Sequence, residues 1–165
     1  MLLYFIIFFG LLIISEFGAY VWHRWAAHTD ILPYVSETHD VHHEIKDDVD
    51  LRDYLYICII MIIFAIVLAS LFTFNIISFG TYLLLYTPVL IVFVWNWYIH
   101  WAYHTPDHWL NNFEWFKNDK KIHFQHHINQ NVNYGIASHY TDKLFGTFKG
   151  TFKKDIKKKK NKSKV

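Results

Sequence analysis

The 165-residue chain holds a single cysteine, Cys58, and it lies inside an apolar run. One thiol permits neither an intrachain disulfide nor a thiolate metal cage. Charge is scarce as well: 18% of residues are charged, 53% are hydrophobic and 20% aromatic, whereas soluble domains average about 25% charged. The cations are also unevenly spread. Eight of the 16 Lys+Arg lie between Lys153 and Lys164, which leaves eight against 13 of the 14 acids in the body of the chain. A mildly acidic body excludes nucleic acid as a partner, and its apolar content excludes disorder. Repeats at solenoid or propeller periods are lacking too.

Long apolar runs are what the chain has instead. One extends from Met1 to Trp22 with a single acid, Glu16; a second from Tyr54 to Phe74; a third from about Ile77 to Ile99. A bilayer core needs about 20 mostly apolar residues in helix, so each run predicts a membrane span. The first lacks the basic start and small-residue cleavage site of a signal peptide and is read as a span. Arg24, Lys46 and Arg52 follow span one and the remaining lysines follow span three, while the link Asn75 to Phe79 carries none. Positive residues stay inside. The expected protein is therefore all-α and integral to a membrane. Its N-terminus is outside or lumenal, and a histidine-rich helical cap and C-terminus are cytosolic. The membrane would be the endoplasmic reticulum in a eukaryote and the inner membrane in a bacterium. Residues 1–150 form one membrane-embedded unit and 151–165 a disordered Lys-rich tail. Pro88 falls mid-span, where a kink is tolerated.

The other surplus is histidine, 12 in all. Ten fall in four groups: His23 and His28; His39, His42 and His43; His100 and His104; His123, His126 and His127. Positions i, i+3 and i+4 share a helix face, so each triplet is expected to converge on one point and His100–His104 to form a pair. His23 and His28 lie about 140° apart on an ideal helix and need a bend, a helix end or a division between two metals. A tetrahedral zinc takes four ligands, so ten imidazoles suit two metals with about five each. Imidazole alone does not choose among Fe, Zn and Cu. His108 and His139 stand apart and read as interfacial polar residues.

The order H-x4-H, H-x2-H-H, H-x3-H, H-x2-H-H resembles the fatty acid hydroxylase and sterol desaturase superfamily of membrane diiron enzymes. So do the pair His23-Arg24 and the run Asn133-Tyr134-Gly135 followed by Asp142-Lys143-Leu144-Phe145-Gly146-Thr147, with Thr141 where tryptophan is usual. The likeness covers roughly residues 16 to 148. It implies two non-haem Fe ions held by the ten grouped histidines, with zinc a substitute metal in an isolated sample. It also implies O2 as co-substrate and hydroxylation or desaturation of a lipid drawn from the bilayer. Electrons would come from a separate donor protein, cytochrome b-type or ferredoxin-type with its reductase. Family members typically use four spans in two hairpins, and three are visible here.

Around the metal, carboxylates usually orient ligating imidazoles, which makes Asp40, Glu44 and Asp142 candidates. Glu16, two turns before His23 within the membrane, is a functional-site candidate expected to bond a ligand histidine or to gate protons. Asn96, one turn before His100, raises the same question. The run Asp47-Asp48-Val49-Asp50 with Asp53 lacks the glycine and terminal glutamate of a calcium loop and reads as solvated. Six tryptophans (Trp22, Trp25, Trp95, Trp97, Trp101, Trp109) suit an interfacial belt. Two further readings compete: a carotenoid-ring hydroxylase, whose third box tends to be one residue longer, and a non-redox metal-binding or transport protein. A transporter would place its ligands near the bilayer midplane, and these lie at one face.

Overall fold

The computed structural model of the chain describes residues 1–44 and 52–150. The expected Lys-rich tail and the acidic run Asp47-Asp48-Val49-Asp50 lie outside the described residues. Among the described residues six α-helices appear in the order α1 (Leu2–Val21), α2 (Pro33–Glu44), α3 (Arg52–Thr73), α4 (Phe79–His104), α5 (Glu114–Ile128) and α6 (Tyr140–Phe145). A π-helical turn, Trp22–Ala27, extends α1, and a 3-10 turn, Trp109–Asn112, precedes α5. No strand occurs among the described residues.

Three helices are long and apolar enough to cross a membrane: α1 with its π-turn (Leu2–Ala27), α3 from Tyr54 to Thr73, and α4. Their outward side chains, such as Phe5, Phe9, Ile13, Ile62, Ile63 and Ile66, form exposed apolar surface that lipid tolerates and water does not. Hydroxyls in these spans turn back onto their own helix: Ser15 donates to the Leu11 carbonyl (2.7 Å) and Ser70 to that of Ile66 (2.8 Å). These two hydroxyls are thereby not left bare in hydrocarbon. The chain is an integral membrane protein.

A tight hairpin joins α3 to α4. Asn75 adopts the left-handed conformation (φ 57°), the Ile76 N–H donates to the Leu71 carbonyl and the Asn75 N–H to that of Phe72 (both 2.9 Å). This is the Schellman arrangement that closes a helix C-terminus. Ser78 then caps α4 by accepting from the Thr81 N–H (3.1 Å). The third span thus begins at Phe79 and not at Ile77, and it runs unbroken through Pro88 to His104. Both histidines of the third group therefore sit on one continuous helix.

Helices α1 and α3 each pack on α4. The tightly packed core lies at one end of the spans, where Ile99, Ala102 and Tyr103 of α4 meet Leu110 and Phe116. Helices α2 and α5 carry the second and fourth histidine groups to that same end.

Candidate metal centre

Ten buried or half-buried imidazoles meet there in two clusters. His23, His28, His39, His43 and His126 form the first; His42, His100, His104, His123 and His127 form the second. In each, one nitrogen per ring lies within 4.8 Å of all the others. This corrects the expectation that each H-x2-H-H triplet converges on one point. On α2 the i, i+4 pair His39 and His43 serves the first cluster while His42 serves the second; on α5 His123 and His127 serve the second while His126 serves the first. Residues i and i+4 stand one above the other, whereas i+3 points to the other flank of the stripe. Each triplet therefore spans both clusters and ties them together, and the His43 and His127 rings stack across the junction at 4.3 Å.

The awkward spacing of His23 and His28 is absorbed by the π-turn. Its wider winding stacks i over i+5, where an α-helix would not, and such turns cluster at functional sites. His28 closes the turn with a non-helical backbone, and its Nε2 lies 3.3 Å from that of His23.

Hydrogen bonds fix which nitrogen faces inward. The His23 Nδ1–H donates to the Tyr134 carbonyl and the His126 Nδ1–H to the Val132 carbonyl (2.8 Å), which leaves both Nε2 lone pairs for a metal, while His100 Nδ1 pairs with the Tyr54 hydroxyl. The Nε2 atoms accordingly face one another: His23 to His39 at 3.1 Å, His39 to His43 at 3.1 Å, and His28 to His126 at 2.9 Å. In the second cluster His104 to His123 is 2.9 Å and His123 to His127 is 3.0 Å. Bare lone pairs at such distances repel. A metal with bonds of about 2.1 Å puts neighbouring nitrogens about 3.0 Å apart at right angles and about 3.4 Å apart at tetrahedral angles. The observed separations fall in the range expected for nitrogens that share one ion. His100 Nε2, on a side chain 3% exposed, has no hydrogen-bond partner. The donor set fits two metal ions.

Burial and mutual repulsion keep the rings neutral, as ligation requires. Desolvation first and neighbouring imidazoles second push His28 down to about 2, His43 to about 3 and His127 to about 2. The same causes hold His39, His123 and His126 well below the usual range.

The expected carboxylates do not contact the ligands in the way foreseen. Asp40 and Glu44 are exposed. Asp142, fully buried, instead holds the loop that holds His23. It accepts from the Tyr134 N–H (2.9 Å), the Gly135 N–H (2.8 Å) and the Thr147 hydroxyl (2.7 Å). Burial works to raise its carboxyl, but these donors and His139 outweigh burial and hold it below the usual range. Only glycine fits at 135, since a Cβ would stand 2.0 Å from the Ser138 carbonyl oxygen. Two carbonyls and a tyrosine therefore do the orienting. Tyr54 escaped the sequence reading because a tyrosine at the start of a span looks like any interfacial aromatic.

Glu16 and Asn96 come together, away from the metal-directed nitrogens. The Asn96 amide donates to Glu16 Oε2 (2.7 Å) and to the Val92 carbonyl (3.0 Å), the Ser138 hydroxyl donates to Glu16 Oε1 (2.8 Å), and Asn96 Oδ1 accepts from the Ala137 N–H (3.3 Å). Instead of bonding a ligand histidine, Glu16 joins α1, α4 and the loop after α5. His139 sits between Asp119 (3.6 Å) and Asp142 (3.7 Å); burial opposes its charge, but the two carboxylates outweigh burial and raise its pKa. His108 turns Nε2 toward the Tyr98 hydroxyl (3.4 Å) beside Trp101 and Trp109. Arg24 lies over the rings of Trp25 and Tyr134, and the Tyr134 ring touches His23, His28 and His126.

Beneath the clusters lies an apolar cavity of about 420 Å³ between the spans. Its lining includes His23 and His39 of the first cluster and His100 of the second.

Apolar spans, two all-imidazole clusters that could each hold a metal ion and an apolar cavity bounded by both are thus brought together in one chain. The chain belongs to the fatty acid hydroxylase family, whose sequence profile matches residues 8–147. Neither a curated protein nor a solved structure gives a significant match. Membership makes the chain an oxidoreductase of the lipid hydroxylase or desaturase type.

Proposed function

We propose that the chain is an O2-dependent lipid hydroxylase with one non-haem iron in each five-imidazole cluster. The observation that carries this reading is the cavity, apolar along its walls and bounded by ligands of both clusters. Hydroxylation of a fatty acyl, sphingolipid or sterol substrate converts R–H, O2, two electrons and two protons into R–OH and water. Bound iron supplies what no side chain can, the activation of O2 for attack on an unactivated C–H bond.

The chain's own residues do the rest. Ten neutral imidazoles bind the metals without adding charge. The Tyr134 and Val132 carbonyls keep the Nδ1 protons of His23 and His126 away from them. Ile57, Met61, Val89, Val92 and Phe93 exclude water and align the chain. The two electrons come from a separate cytochrome b-type or ferredoxin-type donor on the cytosolic side. Clusters at the span ends suit this exchange better than metal transport, which favours midplane ligands.

The test compares lipids of cells expressing the chain under 18O2 with cells expressing His126→Ala. A lipid carrying one 18O atom in the first alone supports the reading. A double bond without label points to desaturation, and identical lipid profiles contradict both.

A further inference from the structure

We propose that Gly18 is the threshold of a sideways passage between α1 and α3, through which a hydrocarbon chain of a bilayer lipid slides beneath the clusters. The purpose of the passage rests on the lipid-oxidising reading above; its geometry does not.

The spans leave a gap at this place. Helices α1 and α3 both lean on α4, and their contact with each other is slight at most. The cavity occupies the space between them, walled by Ile57, Ile60 and Met61 on α3. On the α1 side the wall is made of Ser15, Gly18, Ala19 and Trp22, a stripe at i, i+3, i+4 and i+7 that turns one face to the cavity.

Within that stripe Gly18 is exposed, and a Cβ added there would meet nothing within 4 Å. A glycine inside a helix costs about 1 kcal/mol relative to alanine. Close packing of a neighbouring helix, the ordinary reason to bear that cost, is not found here. Gly10 has the same open surroundings but does not line the cavity. What sets Gly18 apart is that it both lines the cavity and faces outward.

Height along the helix agrees. Gly18 lies five residues before His23, about 7.5 Å along the axis. A chain crossing at Gly18 therefore passes one and a half helical turns below the first cluster. His100, buried and with Nε2 unpartnered, lines the same cavity from α4. The flanking residues on α1, Ile14 and Phe17, are exposed apolar side chains, so the passage opens onto hydrocarbon.

The experiment uses the full-length protein, loaded with zinc so that nothing is oxidised, in nanodiscs of phosphatidylcholine bearing a diazirine on one acyl chain. Photolysis followed by peptide mapping is expected to label the α3 wall at Ile57 and Met61, the less exposed of its cavity-lining residues. Gly18→Phe should cut that labelling by about tenfold or more, since a bulky side chain fills the threshold, with bound metal and thermal midpoint unchanged. Gly18→Ala, whose methyl enters open space, should label like the wild type. Ile60→Trp narrows the passage from the facing wall and gives the same loss should Gly18→Phe fail to fold. Equal labelling in the narrowed variants, or an unlabelled wall in the wild type, overturns the proposal. So does wall labelling obtained only with a diazirine acyl chain presented from water on albumin. If the wall is labelled as expected and cells show no oxidised lipid, the passage stands and the catalytic reading falls.

Discussion

At the scale of single residues, the division of each triplet between two clusters is the feature with the sharpest consequence. His39 and His42 are three residues apart on one helix, yet they belong to different clusters. His39→Ala should therefore remove metal from the first cluster and His42→Ala from the second, each lowering bound metal from two ions per chain toward one. The double variant should approach zero. Metal analysis after gel filtration checks this, and the alternative of one shared point would make both single variants lose the same ion.

Protonation acts at this scale too. The metal-free folded chain holds His28, His43 and His127 neutral at pH values where an unfolded chain would protonate them, near 6.5. Between about pH 6.5 and 3 the unfolded state thus binds more protons, and stability rises with pH across that window. The thermal midpoint of the metal-free protein should fall as pH drops from 7 to 5. His139 runs the other way: its raised pKa adds stability that is complete below about 6.5 and fades as pH climbs past its folded value. A midpoint that rose on acidification would mean that this latch, and not the imidazole clusters, dominates.

At the scale of elements, the loop after α5 governs the first cluster without supplying a ligand. Gly135→Ala drives a methyl into the Ser138 carbonyl, a clash worth at least about 2 kcal/mol. It should lower the thermal midpoint and deplete metal from the first cluster before the second. Glu16→Ala should also destabilise, by about 1–3 kcal/mol, because the Ser138 hydroxyl loses its acceptor. Both metals should remain, as measured by metal content beside the melting curve.

These elements also show what a sequence can and cannot carry. The three spans were legible because a bilayer imposes length and apolarity on every helix that crosses it. The ten histidines were legible because metal ligands recur at helical spacing. Which metal each histidine serves was not, since that depends on how α2 and α5 are rotated in their packing. The orienting groups were hidden for another reason: the Tyr134 and Val132 carbonyls belong to the backbone, which every residue shares. Glu16 stands out in the sequence as the one acid of an apolar run, but its partners Asn96 and Ser138 lie 80 and 122 residues away. Only the folded chain brings them together.

For the whole molecule, three apolar helices, a cap that carries two imidazole clusters and a cavity between the spans form one unit. Its scarcity of thiol and charge goes with that plan, since the clustered side chains are imidazoles and the outer surface of the spans is apolar. Under the proposed function the two clusters hold a pair of irons close enough to interact. Mössbauer spectroscopy of the 57Fe-loaded, oxidised protein tests it most directly. Two irons per chain in a coupled, diamagnetic ferric pair is the predicted result; a single iron, or two that remain magnetically isolated, would contradict it.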